Sequence, residues 1–127
     1  MPEITKQRPV FLNLAEIPQP LAAKMSILHR ISGGAMFLML PCLIYLLQLS
    51  LGSAQDFETF RAITHHPLVK LVLLGLLYAL LHHFCMGIRI LLIDVHKGVK
   101  IETARASAKA VLLVSVALTV ILGVALW

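Results

Sequence analysis

Charge is the first thing this sequence is short of. Only 13% of its 127 residues are Asp, Glu, Lys or Arg, against 59% hydrophobic, and the mean hydropathy is +0.90. A soluble domain needs a charged, mixed surface, which this composition does not supply. Aromatic residues are also scarce, at 6%. The basic residues behind the net charge of +5 are scattered near the ends of apolar segments, without interleaved aromatics, and so form no nucleic-acid face. Cysteine appears twice, as Cys42 and Cys85, each inside an apolar segment. With no CxxC and no Cys/His ligand spacing, disulfide and zinc readings have no support, and both cysteines are expected to be small buried hydrophobes. There is no Gly-rich dinucleotide fingerprint and no cysteine cluster for an iron–sulfur centre. The first thirty residues lack the apolar core and cleavage site of a signal peptide and are not Arg- and Ser-rich like a transit peptide. A multi-pass protein of the bacterial inner membrane is the expectation.

What the chain has is long apolar runs. Residues 1–23 are polar to mixed and carry Pro2, Pro9, Pro18 and Pro20, which exclude a long helix and leave at most a short turn around Phe11–Glu16. Residues 24–127 read as a three-helix transmembrane domain. Each span exceeds the roughly 20 residues needed to cross a bilayer, and the helices are predicted at about 24–51, 67–96 and 104–127. Pro41 should kink the first; Pro67 suits the opening turn of the second. The polar stretch 52–66 is expected to be a loop, partly helical. Lys6, Arg8, Lys24 and Arg30 precede or open the first span, and Lys97, Lys100, Arg105 and Lys109 gather around the second connection. Only Arg61 and Lys70 flank the first loop. The positive-inside rule then puts the N-terminus in the cytoplasm and the C-terminus in the periplasm, with Trp127 as an interfacial anchor. The fold class is therefore an all-α membrane protein.

In the second span, "LLHHFCMGIRILLID" holds two adjacent histidines. Successive helical residues turn by about 100°, so His82 and His83 face different ways. One turn either side of His83 stand Ala79 and Gly87, both small; beside His82 stand Tyr78 and Met86, both bulky. Only the His83 face is cleared for a flat, wide cofactor. His83 is read either as an axial ligand to haem iron or as a histidine bonded to a neighbouring helix. His82 is read as structural or at the lipid edge. Arg89 can snorkel, or pair with a carboxylate such as Asp94.

At the start of the first span, "SILHRISGG" sets Ser26, His29 and Arg30 within an arc of about 100°, and Gly33 and Gly34 open space a turn deeper. A hydroxyl and a guanidinium so placed suit a polar head with an apolar tail: Ser26 to a carbonyl or hydroxyl, Arg30 to a carboxylate. The alternative is a helix-start serine and an arginine reaching for phosphates.

Taken together, "RPVFLNL", the spacing onward to "SILHRIS", and "HFCMGIR" with Asp94 beyond it resemble the cytochrome b-type membrane anchor of succinate dehydrogenase, respiratory complex II. The resemblance spans essentially the whole chain and departs from the family pattern at Ile90 and Ile93. It implies a heterodimeric haem-binding helix bundle in which His83 is one axial ligand of haem b and a second small membrane-anchor subunit supplies the other. It further implies that Ser26 and Arg30 border a ubiquinone-reduction site and that His29 and Arg30 lie near the haem propionates. A flavoprotein and an iron–sulfur subunit would complete the complex on the cytoplasmic face. The alternatives are the anchor of a quinol:fumarate reductase and, from a different class, a small proton or ion transporter subunit using His83 and Arg89 as relay groups.

Overall fold

A computed structural model describes residues 10–127, and among these there is no β-strand. The chain forms α1 (Leu21–Ser50), α2 (Ala54–His65), α3 (Pro67–Asp94) and α4 (Ile101–Leu126). At 1.5 Å per residue the 30, 28 and 26 residues of α1, α3 and α4 measure about 45, 42 and 39 Å, beyond the roughly 30 Å of a hydrocarbon core. All three are apolar enough to cross a membrane. The chain is a multi-pass membrane protein.

Before α1, Asn13 closes a short turn: its carbonyl accepts from the amides of Glu16 and Ile17, and its side chain from Ala15. Pro18 and Pro20 keep this stretch out of the helix, and α1 begins at Leu21 with Pro20 in extended conformation as its cap. The helix continues through Pro41. Residues 54–65, inside the stretch expected to be a loop that is partly helical, form α2. Ser53 and Asp56 make a reciprocal capping box: Ser53 Oγ accepts from the Asp56 amide (3.2 Å), and Asp56 Oδ2 accepts from the Ser53 amide (2.9 Å) and hydroxyl (2.7 Å). A side chain at Gly52 would lie 2.6 Å from that carboxylate, so the glycine is what lets it fold back. Those bonds hold the Asp56 carboxyl below the usual carboxylate range, the Ser53 hydroxyl being the larger cause.

His66 then caps α3 with its ring nitrogen, and Pro67 occupies the first helical position, where the missing amide is harmless. At the far end the Lys97 amide reaches Leu92 O and the His96 amide reaches Ile93 O, each at 2.9 Å, a Schellman closure. His96 takes the left-handed conformation (φ 60°) that glycine usually supplies there.

The six residues Val95–Lys100 turn the chain back, so α3 packs along both α1 and α4, and α1 touches α4 more sparsely. Near the α1 start, Met25, Met86, Ala108 and Val111 form a buried cluster. Deeper in, the seam is small and hydroxylic: Ser32, Ser115 and Thr119 are buried. Ser115 and Thr119 donate to carbonyls of their own helix, at Leu112 and Ser115, which leaves no hydroxyl stranded. Such residues let helix backbones approach where lipid gives no hydrophobic drive to association. Elsewhere the spans point Leu, Ile, Val and Phe outward, as lipid requires. Cys42 is among the exposed residues of α1, contrary to the expectation of burial within protein; only Cys85 is partly enclosed. A helix with one protein-facing stripe leaves most of its apolar residues to lipid, so apolar surroundings in sequence do not imply burial in a core.

Candidate functional site

The α1–α3 contact brings His29 and His83 together. Their rings stack with centroids 4.0 Å apart and planes 15° from parallel. His83 Nδ1 lies 3.1 Å from the His29 backbone oxygen and 3.2 Å from Ser32 Oγ, while Ser32 Oγ donates to the same His29 oxygen at 2.8 Å. A carbonyl oxygen only accepts, so the hydrogen between it and the ring belongs to Nδ1. The Ser32 proton is already directed to the carbonyl, which leaves its oxygen free to accept from the same Nδ1–H. One arrangement satisfies all three groups: it requires a hydrogen on Nδ1, so in the neutral ring the lone pair lies on Nε2. Among the described residues Nε2 has no hydrogen bond, and it is not among the enclosed atoms.

Glycine makes this approach possible. A β-carbon on Gly33 would stand 3.0 Å from His83 Cε1 and 3.4 Å from Nδ1, so the ring reaches the His29 carbonyl by occupying the space a side chain would take. One turn from His83 on its own helix, Gly87 opens onto free space: a β-carbon there would meet nothing within 4 Å. The surroundings of His83 thus offer an imidazole with an unbonded Nε2 and, at Gly87, a cleared turn of its own helix.

His82 behaves differently, and the lipid-edge reading of it is corrected. The ring is 0% exposed, enclosed between helices, tilted against Tyr78 with centroids 5.7 Å apart. Neither of its nitrogens has a hydrogen bond of acceptable geometry, although the Met25 carbonyl lies beside it. Leaving such a group unsatisfied costs about 1–3 kcal/mol. No ligand from outside the bundle can reach it without parting the helices. Of the two adjacent histidines, the more buried is therefore the less suited to binding a large group, and the half-buried His83 is the accessible one.

Ser26 and Arg30 lie on the first three turns of α1, one turn apart, with Ser26 half-buried and Arg30 exposed. Neither makes a side-chain hydrogen bond or ion pair among the described residues, so both are free to meet a ligand. His29 Nε2 is enclosed and unbonded. Arg89 turns away from this group toward α4: Nε donates to Ser107 Oγ (3.0 Å) and Nη2 to the Ala104 carbonyl (3.2 Å). No carboxylate pairs with Arg89 among the described residues, and Asp94 is exposed without an ion pair among them. Ser32 and Gly33 were not singled out from sequence as partners of His83. The signal available was the "HRISGG" run, whose serine and glycine fall one turn beyond His29. No set of three or more His, Cys, Asp or Glu able to hold a bare metal ion occurs among the described residues.

The sequence model described as succinate dehydrogenase/fumarate reductase transmembrane subunit matches residues 4–122. Among curated proteins, the succinate dehydrogenase cytochrome b556 subunit of Coxiella burnetii is 37% identical over 122 residues, covering 95% of this chain and 98% of that protein. The Rickettsia typhi protein of the same description is 30% identical, covering 96% and 95%. That of Paracoccus denitrificans is 32% identical over 114 residues, covering 90% and 88%.

Proposed function

The chain belongs to the succinate dehydrogenase/fumarate reductase transmembrane subunit family, as a cytochrome b anchor of complex II, and we propose that it holds a b-type haem through His83 Nε2 beside a site where ubiquinone is reduced. The carrying observation is the hydrogen bond from His83 Nδ1 to the His29 carbonyl. A histidine that ligates iron must present an unprotonated nitrogen, and donating the other ring N–H to a carbonyl both secures this and raises the basicity of the ligating atom. The open space at Gly87, one turn from His83, fits a broad, flat group. When bound, the haem would take up and release single electrons.

His83 supplies one ligand and lies half-exposed, which fits completion of the site by a second small membrane-anchor subunit. His29 and Arg30 would meet the haem propionates. Ser26 and Arg30 would meet the quinone: the hydroxyl donates to a quinone oxygen, and the guanidinium steadies the negative charge that grows there as electrons arrive. The exposed Arg30 side chain is long enough to serve either neighbour. Flavin and iron–sulfur chemistry belong to two hydrophilic partners, since this chain has residues for neither. The relatives' descriptions favour succinate oxidation over fumarate reduction as the working direction. Residues 1–23 would lie on the cytoplasmic side of a bacterial inner membrane, residues 24–127 forming the membrane domain. The relay of a transporter has no contact to stand on, because Arg89 turns to α4 and not to His83.

Reduced-minus-oxidised spectra of membranes carrying the assembled complex test the reading. His83→Ala is expected to abolish the b-type signal and His82→Ala to keep it; the reverse pattern overturns the assignment. Ser26→Ala is expected to lose most quinone reduction while electron transfer from succinate to an artificial acceptor persists. Unchanged quinone reduction removes Ser26 from the site.

A further inference from the structure

Where α3 ends and α4 begins, the two helices bound a groove of about 510 Å³ whose polar residues include Arg89, Lys97, Thr103 and Ser107. We propose that it binds the phosphate of an anionic phospholipid, with one acyl chain running down the apolar wall beneath. Three features carry this.

The first is an uncompensated charge. Every contact of the Arg89 guanidinium is to a neutral acceptor: Ser107 Oγ, the Ala104 carbonyl and, at 3.9 Å, the Met86 sulfur. The one ion pair among the described residues joins Arg61 to Glu58 on α2, at the other end of the bundle. Asp94 stands five residues beyond Arg89, about 140° around the helix, and does not line the groove. A guanidinium at the edge of hydrocarbon calls for an anion.

The second is that the arginine is held in place without being used up. Ser107 donates to the Ala104 carbonyl and accepts from Nε, which fixes the planar fork against α4. One Nη2 hydrogen goes to Ala104 and one Nη1 hydrogen faces the Met86 sulfur, so one on each nitrogen remains for the bidentate fork that guanidinium offers phosphate. Lys97 adds a second cation at the mouth, its backbone held by the Schellman bond to Leu92, and Thr103 brings a hydroxyl.

The third is the shape below the charges. Cys85, Ile88 and Val114 continue the groove into the apolar part of the bundle. Free phosphate would leave that wall uncovered, whereas a lipid fills both halves. This site is separate from the one around His83 and does not depend on haem.

The assembled complex is reconstituted into nanodiscs of phosphatidylcholine and phosphatidylglycerol with identical acyl chains, then released and weighed by native mass spectrometry. The complex is expected to retain phosphatidylglycerol in preference to phosphatidylcholine. Lys97→Gln leaves the Arg89–Ser107–Ala104 contacts intact and is expected to lower that retention about fivefold, the weight of one basic residue at an anionic surface. Arg89→Gln is expected to lower it at least as far, and excess inorganic phosphate to displace none of it. A benzophenone side chain introduced at Thr103 is expected to crosslink to lipid. Equal retention of the two lipids, no loss in Lys97→Gln, displacement by inorganic phosphate, or crosslinking of Thr103 to a partner polypeptide each overturns the proposal.

Discussion

Gly33→Ala is the sharpest probe of the proposed haem ligand, because it acts on His83 without touching it. The new β-carbon would stand 3.0 Å from His83 Cε1 and 3.4 Å from Nδ1. Comfortable carbon–carbon contact begins near 3.5 Å, so the ring must withdraw from α1 by roughly half an ångström. The His29 carbonyl is on α1 too. The Nδ1–H bond to it, now 3.1 Å, would stretch to about 3.5 Å, the margin of hydrogen bonding. Within a membrane bundle such a bond is worth about 0.6 kcal/mol on average and at most about 1.7. Replacing glycine by alanine inside a helix returns about 1 kcal/mol. The two nearly offset, so the melting point of the assembled complex should hardly move. Haem retention should still fall, since loss of an outer partner typically weakens metal binding about 10–100-fold. Gly75→Ala on α3 is the control: its β-carbon meets nothing within 4 Å, so it takes the same helix gain with no effect on haem. The assay is haem per complex by pyridine haemochrome after dilution into haem-free detergent, beside a thermal melt. Parent stoichiometry and an unshifted spectrum in Gly33→Ala would show that the His29 carbonyl does not govern the ligand.

Three further outcomes follow from local geometry. His82→Leu removes two unsatisfied ring nitrogens from a closed site while keeping most of the volume; it is expected to raise the melting point with haem retained, and destabilisation would mean that the ring has a polar partner in the assembly. His96→Gly relieves an L-residue held at φ 60° and should stabilise the α3–α4 turn by up to about 1 kcal/mol, read as a higher melting point; a fall would mean that the imidazole makes a contact of its own. The Asp56 carboxyl is held below its ordinary value, so its contribution to α2 is present above about pH 4 and fades as pH falls through the folded value. Amide protection in the first turn of α2, corrected for intrinsic exchange, should fall between pH 5 and pH 3 and lose that dependence in Asp56→Asn; equal protection at both pH values refutes it.

The three spans were legible because crossing a membrane depends on the length and composition of one segment, which a sequence states directly. The same is true of α2 in retrospect: Ser53 and Asp56 after Gly52 spell a helix start, though the polarity of residues 52–66 drew attention to a loop. Contacts between segments were harder. Ser32 meets a ring 51 positions away, and nothing in "HRISGG" says which helix passes over it. For Arg89, a carboxylate on its own helix was the natural partner to consider. The short return from Val95 to Lys100 instead lays α4 alongside and supplies Ser107 and Ala104.

Two criteria rank the adjacent histidines in opposite order. Ranking them by burial selects His82, which is fully enclosed. Ranking them by the size of residues one turn away selects His83, because Ala79 and Gly87 leave room and Tyr78 and Met86 do not. For a cofactor completed by another polypeptide the second ranking is the physical one. A shared ligand has to lie on the outer face of its own bundle, while its orientation is fixed from within. His83 meets both conditions: its Nδ1 is anchored to α1 by the His29 carbonyl and Ser32, and its Nε2 is left unbonded on the half-exposed side of the ring. His82 meets neither, since its nitrogens are enclosed and unanchored. The useful signature for such a site is therefore an imidazole with one nitrogen tied down and the other left open, and that pairing requires the helix on the far side of the contact to be known.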